Sequence, residues 1–219
     1  MDGDSRKIPT HEVTYSRLRD MILFGHLEPG AAVTIQGLVT DLGAGMTPVR
    51  EAIRRLSAEG ALDPQGNRRV VVPRMTEAML EQVAFARLTI EPKLAEMAAA
   101  HLTPALIDRL QGIDNTVDRA IRAGDVSGYL EANHAFHFCL YDASAAPVLV
   151  DMARSMWLRF GPALRVVCAR FGRSALPDRH LEALSAMRAG DAAALRLAIE
   201  RDIAQGVDQV RAALDQGEI

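Results

Sequence analysis

Asn133, His137, His180 and Asp202 have the residue types of a metal site. Asn133 and His137 are four apart, so on a helix they project from one face. Imidazole and carboxylate groups reaching inward from separate helices can close around a divalent cation. The same histidines could instead be hydrogen-bonded core or surface residues, and residue type alone leaves both readings open. A second chemistry lies in Met46 to Leu56. There Val49, Ala52, Ile53 and Leu56 follow the i, i+3, i+4, i+7 rule, while Arg50 and Arg54 share an opposite face with Met46 and Thr47 near its start. One side can pack while the other touches an anion. A helix this short is marginal alone, so it must be docked on neighbours that hold its arginines outward, as a recognition helix is presented to DNA.

The elements that would do this are legible on either side. Tyr15, Leu18 and Ile22 give a helix over Val13 to Phe24, ended by Gly25 and the Pro29-Gly30 turn. Thr34 is placed to cap a second helix, Ile35 to Leu42, and Gly43-Ala44-Gly45 makes a tight connection to the arginine-bearing segment. Thr47 is placed to cap that segment, with Pro48 and Glu51 suited to its first turn. Two helices joined by a short glycine-containing turn are the helix-turn-helix arrangement. Beyond Leu56, the β-branched run Val70 to Val72 behind Gly66-Asn67 predicts a hairpin with Gln65, Asn67, Arg68 and Arg69 at its tip. Taken alone that tip could be merely solvated; beside the helices it reads as the wing of a winged helix.

Pro73 to Thr76 reads as a linker, and the remainder is helical by pattern. A long helix from Met79 to Ala98 is followed by Thr103-Pro104 to Ala123, Val126 to Tyr141, Pro147 to Phe171 with a bend expected at Gly161-Pro162, Pro177 to Arg188, and Ala192 to Ala213. Two boundaries rhyme: Arg122-Ala123-Gly124-Asp125 and Arg188-Ala189-Gly190-Asp191 each set a helix-ending glycine before an N-capping aspartate. The expected fold is mostly α, a winged helix-turn-helix over residues 13–74 followed by an all-α six-helix antiparallel bundle over 75–219, with 1–12 as a disordered leader.

Composition narrows the function classes. Hydrophobic residues at 49% and aromatics at 5% suit a globular protein with an aliphatic core. Cys139 and Cys168 lack CxxC spacing, which argues against a disulfide scaffold or a zinc ribbon. No signal peptide or membrane-length apolar run is evident, so a cytoplasmic location is expected. Lys and Arg outnumber Asp and Glu ten to nine in residues 1–74 and trail fifteen to nineteen in 75–219, so a DNA surface must be local.

The order Gly25-His26-Leu27-Glu28-Pro29-Gly30, then Thr47-Pro48-Val49-Arg50-Glu51-Ala52, Leu56, Glu59-Gly60 and a glycine-containing hairpin resembles the GntR family of bacterial transcription regulators over roughly residues 13–74. The resemblance implies DNA contacts by Gln36, Met46, Thr47, Arg50, Arg54, Gln65, Asn67 and Arg68. Gly45-Met46 replaces the Ser-Arg that usually precedes the Thr-Pro-Val-Arg string, so at the base pair facing Met46 an apolar contact such as a thymine methyl is expected in place of an arginine–guanine pair. Downstream, Arg87 with Glu91-Pro92, the Asn133-His134-Ala135-Phe136-His137 box, Trp157, Gly161-Pro162-Ala163-Leu164-Arg165 and His180 resemble the FCD effector domain of the FadR subfamily. Many members bind a metal through an Asp-x-x-Phe-His box and two later histidines. Here Asn133 stands at the Asp position and Asp202 where the last His is expected, which implies an altered site of Asn133, His137, His180 and Asp202 holding zinc, nickel or manganese. The resemblance also implies a small organic acid as effector. Arg87, Arg154, Arg159 and Arg165 are candidates to clamp its carboxylate; Arg87 and Arg165 are selected, with Arg165 preferred, since Arg87 could be only an ion pair with Glu91 and Arg154 merely solvated.

The function expected is that of a ligand-responsive repressor of a metabolic operon, a homodimer on a pseudopalindromic operator. Two alternatives are a metal-dependent helical-bundle enzyme and a dimeric DNA-binding protein without an effector. Against the enzyme, HExxH, GxSxG and phosphate-loop motifs are all missing from the sequence.

Overall fold

The computed structural model describes residues 10–171 and 179–217, which fall into two compact units meeting at Arg74/Met75. In the N-terminal unit, helix α1 (Thr10–Leu23) is followed by strand β1 (Ala32–Thr34), helices α2 (Ile35–Leu42) and α3 (Met46–Ala58), and strands β2 (Asp63–Gln65) and β3 (Arg69–Val71). The first helix thus begins inside the stretch expected as a leader, whose residues 1–9 lie outside the described residues. The apolar stripe of α3 is buried as its spacing predicts: Val49, Ala52, Ile53 and Leu56 are all at most 7% exposed. Each fully buried Val, Ile or Leu is worth about 1.5–3 kcal/mol. They join Leu18, Ile22, Leu38, Leu42, Leu62 and Val70 in one aliphatic core.

Two local expectations need correction. Gly45, not Thr47, is the N-cap of α3: Gly45 is extended (φ −70°, ψ 161°) and its carbonyl accepts from the Val49 N–H at 3.3 Å. Gly43 in the left-handed region (φ 58°) ends α2 so abruptly that α3 can begin at Met46. Thr47 is left as an exposed first-turn residue. Strand β1, absent from the expected hairpin, pairs antiparallel with β3 (Val33 opposite Val70), so the wing is a three-stranded sheet in the order β1-β3-β2. Three residues are too few for a strand pattern to show in sequence; the partner across the sheet decides it. Thr34 does cap α2 as expected, its hydroxyl accepting from Gly37 N–H at 3.0 Å.

The C-terminal unit contains, among the described residues, six α-helices: α4 (Glu77–Ala98), α5 (Pro104–Ala123), α6 (Val126–Tyr141), α7 (Pro147–Phe171), α8 (Arg179–Ala189) and α9 (Ala192–Asp215). Helix α4 packs on α9 and α7, α5 on α6 and α8, and α8 on α9. Helix α7 continues through Gly161-Pro162, where a bend was expected. Pro177 and Asp178, the expected start of α8, lie outside the described residues. The rhyming boundaries hold in detail. Asp125 accepts from Gly128 N–H at 3.0 Å and Asp191 from Ala194 N–H at 2.9 Å, each directly after a left-handed glycine.

These caps aim α6 and α9, the helices that carry Asn133, His137 and Asp202. Asp191→Ala is therefore expected to cost about 1 kcal/mol, read as a lowered urea midpoint in equilibrium unfolding.

Candidate functional site

The three arginines of α3 have different fates. Arg55 turns toward its own unit, donating from Nη1 to Glu12 Oε1 at 2.8 Å while its guanidinium lies 3.8 Å over the Tyr15 ring. Burial and the neighbouring Glu59, to which the phenol donates, push the Tyr15 pKa up to about 12. Arg54 is exposed but held in a two-point pair with Glu51, Nε to Oε2 at 3.0 Å and Nη2 to Oε1 at 2.6 Å. This contact lowers the Glu51 pKa and raises that of Arg54. Arg50 is exposed and has no ion pair among the described residues. It is the α3 arginine that can meet an incoming base edge or phosphate without first giving up a partner.

Gln36, Thr47, Gln65, Asn67 and Arg68 are all exposed, and Met46 is half-buried at the first turn of α3. At the tip of β2–β3, Asn67 (φ 61°) and Arg68 (φ 58°) both occupy the left-handed region. Asn tolerates that region; for a longer side chain such as Arg it costs about 1–2 kcal/mol. Strained backbone of this kind persists where the surroundings impose it, often at contact surfaces.

The second site is buried in the C-terminal unit. One ligand atom each from His137, His180 and Asp202 lies within 4.8 Å of the other two. His137 and His180 are 0% and 5% exposed. The hydrogen-bond network assigns their tautomers. His137 Nδ1 is 3.0 Å from the Tyr141 hydroxyl, whose single proton is donated to Glu91 Oε2 at 2.8 Å. Tyr141 can therefore only accept from His137, so the imidazole proton sits on Nδ1 and Nε2 carries a lone pair. His180 Nδ1 is 3.0 Å from Asp114 Oδ1, an acceptor, which puts the His180 lone pair on Nε2 as well. Neither Nε2 makes a hydrogen bond, and the buried Asn133 Oδ1 makes none. His137 Nε2 instead lies 3.1 Å from Asp202 Oδ2 without hydrogen-bond alignment. Burial lowers the His137 pKa despite Asp202, which favours the neutral ring.

Two imidazole lone pairs thus converge on a carboxylate, and the burial of both Nε2 atoms and Asn133 Oδ1 without hydrogen bonds carries a cost a cation would relieve. Both Nδ1 atoms are tied to oxygen partners, the support that metal-binding imidazoles usually have. The donor set of two nitrogens and one carboxylate, with an amide oxygen one helical turn from His137, fits a divalent ion.

Beside these side chains is a cavity of about 20 Å³, room for a single water-sized guest. Arg87, Asn133, Trp157, Phe160, Asp202 and Gly206 contribute to its wall. Arg87 is 3% exposed and gives Nε and Nη2 to Glu91 (2.6 and 3.3 Å), with its guanidinium 4.4 Å from the Trp157 ring and 4.5 Å from the Phe160 ring. Its third nitrogen, Nη1, donates to no described residue. The cavity walls thus include Arg87 but not Arg165, which is half-buried and donates to Ser127 Oγ at 3.0 Å. Arg154 pairs with Asp142 and Arg159 with Ser155.

Two family comparisons match these two units. Residues 10–72 match the bacterial regulatory proteins of the gntR family, and residues 82–218, more than half of the chain, match the FCD domain. The chain belongs to the GntR family of regulators with an FCD domain. The HTH-type transcriptional regulator McbR of Escherichia coli is 29% identical over 178 residues, 80% of each chain. The solved structure of E. coli McbR/YncC superposes with a TM-score of 0.89 at 25% identity, covering 95% of this chain and all of that one. A protein of Paenarthrobacter nicotinovorans, named the probable D-xylose utilization operon transcriptional repressor, is 25% identical over 195 residues, 87% of this chain and 85% of that one. This chain is accordingly a DNA-binding transcriptional regulator with an FCD effector domain, not an enzyme. No helix among the described residues is long and apolar enough to cross a membrane.

Sequence reasoning missed Asp114 and Tyr141 as supports of the two imidazoles. Tyr141 was findable, since it stands four residues after His137 on the same face of α6. Asp114 reaches His180 across 66 residues, and no spacing rule links them. The regulator's wing offers a direct test. Arg68→Gly is expected to stabilise the protein by up to about 1 kcal/mol in urea unfolding, by relieving the left-handed strain. If Arg68 reaches a phosphate, it should also lower the slope of log affinity against log salt by about one in DNA titrations.

Proposed function

We propose that this regulator is a repressor of a metabolic operon, acting in the cytoplasm as a homodimer on a pseudopalindromic operator and responding to a small carboxylate in its FCD domain. A repressor role at a catabolic operon is supported by the P. nicotinovorans relative's name. On DNA, Arg50 reads a base edge, Arg54 and the wing residues Gln65, Asn67 and Arg68 follow the phosphates and minor groove, and Gln36, Met46 and Thr47 complete the contact face.

The observation that carries the sensing half is the convergence of two unprotonated Nε2 atoms on Asp202. His137, His180, Asp202 and Asn133 would hold a divalent metal, zinc, nickel or manganese, which supplies an electrophilic anchor for a carboxylate oxygen when bound. Arg87 adds a fixed positive charge and a spare N–H pair at the cavity. Since the cavity admits only a water-sized guest, occupation by an effector requires a wall to give, and α4, which carries Arg87, begins at Glu77 just after the DNA-binding unit ends. Effector occupancy then shifts the population between states that differ in their grip on the operator.

Selection of genomic fragments followed by a salt series tests the DNA half. A palindrome should be recovered, affinity should fall steeply with salt, and Arg50→Ala should cost about 1–3 kcal/mol if it reads a guanine. Arg54→Ala should cost less because the pair with Glu51 is surrendered on binding. Recovery of no common sequence, or indifference to Arg50→Ala, would defeat it. Calorimetric titration of chelator-treated protein with zinc, nickel and manganese tests the sensing half. Heat of binding is expected for the wild type and its loss for His137→Ala. Identical traces for both proteins would leave a DNA-binding protein without this metal.

A further inference from the structure

Glycine in the interior of a long helix needs a reason, because it weakens the helix relative to alanine. Gly206 is such a residue, in the middle of α9. Its φ is not in the left-handed region, so the backbone does not demand glycine. A Cβ built at Gly206 would meet only the Phe160 ring, at 3.9 and 4.0 Å, which is ordinary contact, so packing does not demand it either. Gly112 is also mid-helical but is exposed. Gly206 instead stands one turn after Asp202, on the same face of α9, and forms part of the cavity wall with Arg87, Asn133 and Phe160. What the missing side chain provides at this position is space.

We infer that Gly206 leaves the wall space into which a compact carboxylate effector settles beside His137, His180 and Asp202 once the cavity widens to admit it, and so sets the upper size of that effector. The inference rests on the sensing function proposed above. The space is small enough that one methyl group matters, and with Asp202 engaged by the metal the other groups facing it suit a small carboxylate. Arg87 Nη1 is a buried charged donor without a partner among the described residues, and Phe160 and Trp157 present apolar surface to a short carbon chain. Arg87 keeps its orientation on α4, since its other two nitrogens are fixed on Glu91 of the same helix and its guanidinium lies against the Trp157 and Phe160 rings. At Gly206 a single substitution adds volume to the wall without displacing a bond.

The test uses full-length wild type and Gly206→Ala, each titrated first with zinc and then, zinc-loaded, with acetate. Both proteins are expected to fold and to take up zinc with the same affinity, because a Cβ at this position touches no proposed ligand. Acetate is expected to bind zinc-loaded wild type and to bind Gly206→Ala about tenfold more weakly or worse. The melting temperature of ligand-free Gly206→Ala should be equal to or above that of wild type, which separates lost binding from lost structure. Zinc uptake by both with equal acetate affinity, or with no acetate binding by either, would overturn the role of Gly206 and leave the metal site standing. Absence of zinc uptake by wild type would overturn both.

Discussion

A carboxylate with no exposed surface can remain charged only if its lone pairs are taken by donors, and Glu91 is such a group. It is 0% exposed and accepts four hydrogen bonds, two from Arg87, one from the Tyr141 hydroxyl and one from Trp157 Nε1. Burying an ion pair costs heavily in desolvation, and removing one member of such a pair typically costs about 3–5 kcal/mol. This one knot binds α4 to α6 and α7. Through Tyr141 it fixes the His137 ring and leaves its Nε2 as a lone pair, and through the Arg87 guanidinium it stiffens the cavity wall. The side chains of the candidate metal site are thus held in register by a polar cluster that reaches them through the Tyr141 hydroxyl.

The same logic of partner and no partner orders the proposed DNA-binding face. Arg50, Arg54 and Arg55 are close in sequence, yet each has a different electrostatic situation. Arg55 is committed to Glu12 and the Tyr15 ring, Arg54 to Glu51, and Arg50 to no acidic group among the described residues. Exposed pairs of the Arg54–Glu51 kind contribute little stability. Their effect is on binding, since a nucleic acid must compete with the carboxylate before it gains the arginine. Where the family usually has an arginine, Met46 offers none, so in the proposed DNA complex base reading falls mainly to Arg50.

Much of this was readable before any coordinates. The inward stripe of α3, the caps Thr34, Asp125 and Asp191, and the glycines that stop one helix before the next begins all act within a few residues, and they appear where local rules put them. Elements that failed to show in sequence are those whose stability comes from elsewhere in the chain. Strand β1 exists because Val33 finds Val70 across the sheet. Gly45 displaced Thr47 as the cap because the Gly43 turn ends α2 so sharply. At the candidate metal site His137, His180 and Asp202 were nameable from type and resemblance, while their supports Asp114 and Tyr141 were not named.

By itself, then, the chain specifies a winged reader head, a helical bundle and the residues able to do chemistry in each, because helix periodicity, capping and turn chemistry depend on neighbours in sequence. Only the tertiary structure decides which nitrogen of each histidine is available, that Arg87 rather than Arg165 reaches the cavity, and that Gly206 leaves room there. Those are questions of which groups meet between helices distant in the chain, and hydrogen-bond valence and excluded volume answer them only once the helices are packed.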